Sequence, residues 1–300
     1  MKNGAVAQAT KLGFVGLNVA RRDETWHYYQ DVVGLPLSET VGRDLYFSCG
    51  GEHHAVSLHT GDRPGLRHIG LQIAGDGPLE DVAAALSKYG VDARLQRDRV
   101  PGIPVCIEMT DPDGYTVYLY REANAAKALY GNSGVRPVKL GHLALYVRDA
   151  KATSEFYTAM LGFRWSDWVE AKFVFMRCGS DHHTLNFLRS TKCGLFHFAF
   201  ELRDWAHLGE ACDLLARAKI KLFCGPGRHG LGHNLYIYHH DPDGNVVEMF
   251  ADMDRMSSEE LGYFDPRPHH EDFPQRPKVW PDTPDTGDQW GVPAPAGFLD

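Results

Sequence analysis

The sequence predicts an α+β protein of two tandem domains, each a pair of βαβββ modules forming a curved mixed sheet. Three observations carry that prediction. The chain repeats itself: LGFVGLNV at 12–19 returns as LGHLALYV at 140–147, LRHIGLQI at 66–73 as LFHFAFEL at 195–202, and TDPDGYTVYLY at 110–120 as HDPDGNVVEMF at 240–250. Motifs that recur in one order at matching spacing mark a duplicated domain. Each half then splits again into strands with period-two alternation and segments with helical spacing. Strands outnumber helices, with one helix per module, which is the balance of an α+β fold with mixed sheets.

Element by element, the second half reads most clearly. GHLALYVRD alternates as a strand, AKATSEFYTAMLG follows with helical spacing, and three short strands lie near FRWSDWV, KFVFMRCG and HHTLNFLR. HFAFELRD starts the next module, WAHLGEACDLLARAK is its amphipathic helix, and strands near KLFC, HNLYIYHH and NVVEMF complete it. The two Asp-Pro-Asp-Gly segments, 111–114 and 241–244, are turns that set the register of the last strand, with glycine supplying an unusual backbone angle. The expected organisation is an N-terminal domain over 1–120, a linker over 121–138, a C-terminal domain over 139–255, and an arm over 256–300. The arm holds eight of the 17 prolines together with Trp280 and Trp290. Proline without a hydrophobic period forbids a regular core there. The aromatic content predicts an extended arm lying on its own domain or on a neighbouring subunit.

Composition excludes several classes. A formal net charge of −8 with no basic stripe argues against a nucleic-acid partner. No run of apolar residues is long enough for a membrane span, and the N-terminus MKNGAVAQATKLGFVG has no secretory pattern. Six cysteines without C-x-x-C spacing read as reduced thiols, so the expected location is cytoplasmic.

The chemistry lies in the difference between the two copies. Phe14 corresponds to His142, His68 to His197, and Tyr118 to Glu248. The scaffold therefore accepts aromatics at two of three equivalent strand positions, yet the second copy carries His, His and Glu. Two histidines and a carboxylate arriving together on three strands are the ligand set of a non-haem iron facial triad. Alternation puts Phe196, Phe198 and Phe200 on one face, against a helix, and sends His197 into the cup of the sheet. Glu248 sits in the apolar run Val246–Phe250, where an unpaired carboxylate would be costly and a divalent cation removes the difficulty.

The segment Gly227-Arg228-His229, seven residues, Ile237-Tyr238, two residues, Asp-Pro-Asp-Gly, three residues, Glu248 resembles the signature of the type I extradiol ring-cleaving dioxygenases of the vicinal oxygen chelate superfamily. The wider repeat covers residues 12–250 and leaves only the arm outside. The resemblance implies Fe(II), occasionally Mn(II), on His142, His197 and Glu248, with an N-terminal domain that lacks the metal. It implies a small aromatic diol and O2 as substrates, ring cleavage beside the diol to a muconic semialdehyde type of product, a place in aromatic catabolism, and a homo-oligomer. It puts proton transfer on His183, fourteen positions before His197, with His182 as the alternative, and makes His229 and Tyr238 a pair that hydrogen-bonds the bound diol. Hydroquinone cleavage and a glyoxalase-like lyase or isomerase are the competing activities of the same superfamily. Trp165, Trp168, Phe175 and Phe187 are the aromatics expected to shape the pocket.

Overall fold

The computed structural model describes residues 4–128, 131–265, 275–292 and 294–297. Four βαβββ modules follow one another. The first runs through β1 (Ala9–Val19), α1 (Arg22–His27) with a π-helical continuation (Tyr28–Val33), β2 (Leu37–Val41), β3 (Asp44–Phe47) and β4 (Val56–Thr60). The second comprises β5 (Gly65–Ile73), α2 (Leu79–Lys88), β6 (Ala93–Val100), β7 (Ile103–Thr110) and β8 (Thr116–Tyr120). The third comprises β9 (Lys139–Val147), α3 (Ala150–Leu161), β10 (Arg164–Val169), β11 (Phe173–Arg177) and β12 (Leu185–Arg189). The fourth comprises β13 (Gly194–Glu201), α4 (Trp205–Arg217), β14 (Cys224–Arg228), β15 (Leu235–His240) and β16 (Val246–Ala251).

Within each half, two modules join through their first strands, β1 against β5 and β9 against β13, both antiparallel. The N-terminal sheet has the order β2-β3-β4-β1-β5-β8-β7-β6, and the C-terminal sheet reads β14-β15-β16-β13-β9-β12-β11-β10. One face of each sheet packs on its helices. Leu143, Leu145, Phe198, Phe200, Val247 and Met249 belong to that core with Tyr157 and Leu161 of α3 and Leu208 and Leu215 of α4. Burying each such side chain contributes roughly 1.5–3 kcal/mol. The other face curls into a cup.

The helices start and stop where their chemistry directs. Asp149 caps α3 by accepting from Lys151 N and Ala152 N, and Gly162, at φ 69°, ends it. Asp204 caps α4 through His207 N. The predicted strand near KLFC is displaced. Residues 221–223 are not strand, and β14 begins at Cys224 because its partner β15 pairs Tyr238 with Cys224 and Leu235 with Arg228. Cross-strand pairing, rather than the local apolar run, sets that boundary.

The Asp-Pro-Asp-Gly turns do more than set register. Both close with a Gly N–H bonded to the first Asp carbonyl, with φ 94° at Gly114 and 86° at Gly244. Each then docks on the other half. Asp243 Oδ1 accepts from Ala20 N and Arg21 N at 2.8 and 3.0 Å, its Oδ2 accepts from Thr25 Oγ1 at 2.6 Å, and Tyr29 donates to Asp241. Reciprocally, Asp113 accepts from Arg148 N at 3.0 Å and Thr153 Oγ1 at 2.6 Å, and Tyr157 donates to Asp111.

The arm lies on its own C-terminal half. A hairpin of β17 (Arg255–Ser258) and β18 (Tyr263–Asp265) opens it, β19 (Lys278–Trp280) adds in parallel to the edge strand β10, and α5 (Pro284–Gly287) follows. Trp290 meets Trp205 of α4 edge-on at 5.5 Å and stacks under Arg228. No helix among the described residues is long and apolar enough to cross a membrane.

Candidate metal centre

Three adjacent strands build the floor of the C-terminal cup: β9 carries His142, β13 carries His197 and β16 carries Glu248. Ala199 pairs with His142 on one side and with Glu248 on the other, so these two side chains face each other across β13. His197, two positions before Ala199, reaches the same floor by simple alternation, but a bulge between Leu195 and His197 disturbs the residue before it. Because of that bulge, Phe196 does not join Phe198 and Phe200 on the helix face. Its ring sits 4.6 Å from that of His197 and lines the cup with Ala144 and Leu188. A register shift places two consecutive residues on one side, which period two alone does not anticipate.

The donor atoms converge. His142 Nε2 lies 2.9 Å from Glu248 Oε2, His197 Nε2 lies 3.2 Å from the same oxygen, and the two nitrogens are 3.3 Å apart. Cis donors about 2.1 Å from a common octahedral cation stand about 3 Å apart, so the three fit a divalent ion. All three residues are buried. His142 Nδ1 and His197 Nδ1 are buried with no hydrogen-bond partner among the described residues, so both rings direct their interaction inward through Nε2. Burial alone would raise the Glu248 carboxyl, but the attraction and hydrogen bonds of His142 and His197 hold it well below the usual carboxylate range. Burial pushes His197 down, keeping the ring neutral and its lone pair available.

Around this floor lies a second layer. Asn234 Nδ2 donates to Glu248 Oε1 at 3.0 Å, and Tyr238 OH donates to Glu248 Oε2 at 2.9 Å. His229 Nε2 is 3.0 Å from the same tyrosine oxygen, so Tyr238 has one proton to share between two acceptors. Burial and the nearby Glu248 hold that phenol well above its ordinary value. His229 is fixed from behind by the arm: its Nδ1 donates to the Gly287 carbonyl at 2.7 Å, and its ring stacks on Tyr236 at 3.9 Å.

His183 joins the site from the loop before β12, its ring 4.4 Å from that of His142. A buried chain sets its tautomer. Asp167 Oδ2 can only accept, so His182 Nε2, 3.0 Å away, carries the hydrogen. His182 Nδ1 is then the acceptor in its 3.0 Å contact with His183 Nδ1, which must donate. The nitrogen of His183 left over is Nε2, unprotonated, on a ring that lines the cavity. Burial, then the neighbouring His142 and His182, keep that ring well below the usual histidine range. His182 is thus the middle of a relay, held by Asp167.

A cavity of about 440 Å³ opens above the floor. Its walls come from β11, β12, β13 and β15 and from the arm at Thr286, Gly287 and Asp288. Asp288 anchors that wall: its Oδ2 accepts from Tyr236 OH at 2.6 Å and from Arg228 N at 3.0 Å. Gly227 permits the approach, since a Cβ there would stand 2.0 Å from the Asp288 carboxylate. Of the four aromatics expected at the pocket, Phe175 lines it, whereas Phe187 is buried in the helix-facing core, Trp168 packs against that core, and Trp165 is exposed. The bulge between Trp165 and Asp167 turns Asp167 toward His182. Asn234, Asp167 and Asp288 went unmarked by the motif reading; only Asn234 lies within the signature stretch.

The family model described as "Glyoxalase/Bleomycin resistance protein/Dioxygenase superfamily" matches residues 11–119 and again 139–249, and the chain belongs to that superfamily. Among curated relatives, a metapyrocatechase of Pseudomonas sp. (strain CF600) is 26% identical over 272 residues, covering 84% of this chain and 87% of the relative. Among solved structures, homoprotocatechuate 2,3-dioxygenase of Brevibacterium fuscum superposes with a TM-score of 0.87 at 19% identity, covering 98% of this chain and 82% of that one. A Mn(II)-bound glyoxalase from Novosphingobium aromaticivorans superposes with a TM-score of 0.84 at 25% identity, over 98% and 94% of the two chains.

Proposed function

We propose that the protein is an extradiol dioxygenase that cleaves the ring of a substituted catechol beside its two hydroxyls, with both atoms of O2 ending in a muconic semialdehyde type of product. One observation carries the reading: His142, His197 and Glu248 converge, buried, at the floor of a ligand-sized cavity into which His183 brings an unprotonated nitrogen. The similarity to a metapyrocatechase over most of both chains supports it. We assign the metal to His142, His197 and Glu248, and Fe(II) in preference to Mn(II). Iron held there would supply the electron relay between aromatic diolate and dioxygen that no side chain provides.

The remaining work falls to the chain. His183 Nε2 accepts a proton from the incoming diol and later returns it, a role suited to a neutral imidazole whose other nitrogen is tied to His182 and Asp167. Tyr238 presents its O–H beside Glu248 to a diolate oxygen, and His229, whose N–H is held by the Gly287 carbonyl, orients that hydroxyl through Nε2. The arm and the phenyl walls keep bulk water from the reacting centre. A glyoxalase-like site sharing ligands between modules finds no partner in the N-terminal cup, where Phe14 and Tyr118 occupy the equivalent positions.

The test is anaerobic reconstitution with Fe(II) or Mn(II), followed by air and a panel of catechols while the yellow ring-fission product is monitored. Yellow product with one iron per chain upholds the assignment. One tightly bound iron without product from any catechol would overturn it in favour of hydroquinone cleavage. Equal activity with Mn(II) would remove the preference for iron.

A further inference from the structure

The cavity above the metal floor divides into two chemistries. Beyond the donor atoms much of its wall is apolar, formed by Val169, Phe173, Phe175, Leu188 and Phe196, with the rings of Phe173 and Phe175 4.4 Å apart. A cavity of roughly 150 Å³ accepts benzene. The 440 Å³ here therefore holds a diol ring together with a substituent as large as a second ring. The polar lining on the arm side is acidic: Asp282 and Asp288 both contribute to it. Among the described residues one cation lines the cavity, Lys172, and its Nζ is paired with Asp282 of the arm. Asp288 is committed to Tyr236 and the backbone of Arg228. A carboxylate on the ring substituent would meet phenyl faces, two aspartates and a lysine already neutralised, which is unfavourable for a charge leaving water.

We propose that this site selects diols whose ring substituent is uncharged and apolar, an alkyl group, a halogen or a second aromatic ring, and that the Lys172–Asp282 pair discriminates against substituents bearing a carboxylate. The pair is a specificity element: Asp282 occupies the cation that would otherwise receive the acid. This rests on the ring-cleavage reading for the nature of the diol, but its test is binding, which stands apart from turnover.

Under argon, calorimetry on the full-length, iron-loaded protein would compare 2,3-dihydroxybiphenyl with 3,4-dihydroxyphenylacetate. The unaltered protein is expected to bind the biphenyl diol at least about tenfold more tightly. Asp282→Asn frees Lys172 and should narrow that ratio by about threefold to tenfold, as an ion pair near the surface allows. Adding Lys172→Gln to Asp282→Asn should widen the ratio again. Tighter or equal binding of the acid by the unaltered protein overturns the proposal. So does a ratio that Asp282→Asn leaves unmoved in a protein with unchanged thermal unfolding, or failure of both diols to bind. Oxygen consumption in air is read separately: the expected binding order without turnover sinks ring cleavage and leaves the selectivity standing.

Discussion

Glu39, His53 and His54 in the N-terminal half reproduce the chain that Asp167, His182 and His183 make in the C-terminal half. His53 Nε2 lies 2.9 Å from Glu39 Oε2, and His53 Nδ1 lies 3.0 Å from His54 Nδ1, against 3.0 and 3.0 Å in the other copy. The difference is where the chain ends. His54 Nε2 is buried without a partner among the described residues, and its ring packs 4.6 Å from Phe14, the residue that stands where His142 does. Tyr118, in the place of Glu248, turns its hydroxyl to Glu108. His183 instead ends at a cavity and beside three converging donors. The carboxylate–histidine–histidine chain thus belongs to the scaffold. Function requires ligands for a metal and space for a substrate at its end, and among the described residues the C-terminal copy brings three candidate ligands and a cavity together there.

The sharpest way to break the comparison is to remove a donor. Glu248→Ala or His142→Ala should lower bound metal from about one ion per chain to a trace, measured by elemental analysis after dialysis, and abolish ring cleavage. Metal retained at full stoichiometry by both variants would refute the assignment of the floor. Next in size, His183→Phe should keep the metal and lower kcat by about 10²–10⁴-fold, the usual contribution of a positioned acid–base group, while the equivalent His54→Phe leaves the rate unchanged. Comparable losses in the two variants would show that the histidines act through folding. Asp288→Ala releases the arm from Tyr236 and Arg228 and loosens Gly287 behind His229; kcat/KM should fall about 10–100-fold with metal content preserved. The smallest effect is on stability. Asp243→Ala in one half and Asp113→Ala in the other each remove charge-assisted hydrogen bonds across the halves, more exposed at Asp243 than at Asp113, and should each cost about 1–3 kcal/mol, read by denaturant unfolding. A loss in only one of them would break the symmetry of the docking.

Much of this was legible in the sequence because the chain contains its own control. Phe14 against His142 and Tyr118 against Glu248 distinguish what the scaffold needs from what the second copy adds, and the four modules follow from the same repeat. The rest depended on partners distant along the chain. The bulge that turns Phe196 into the cup is a property of how β13 pairs with β9, and no local pattern encodes it. The start of β14 at Cys224 is set by β15. The arm has no hydrophobic period, so neither its pairing with β10 nor the grip of Asp288 on Tyr236 could be read from its prolines. Asp167 sits in a strand whose alternation a bulge interrupts, which hid its contact with His182.

The exchange of Asp-Pro-Asp-Gly turns has a consequence for inheritance. Asp243 serves backbone N–H groups at the entrance to α1, a helix with no side-chain cap of its own, and Asp113 does the same before α3. Each half therefore holds a piece of the other's local structure. After duplication, one copy was free to have ligands where the other has aromatics, but neither was free to leave. A descendant that deleted the N-terminal half would strip the C-terminal half of its partner for Arg148, Thr153 and Tyr157, so the first copy serves as a mould for the second.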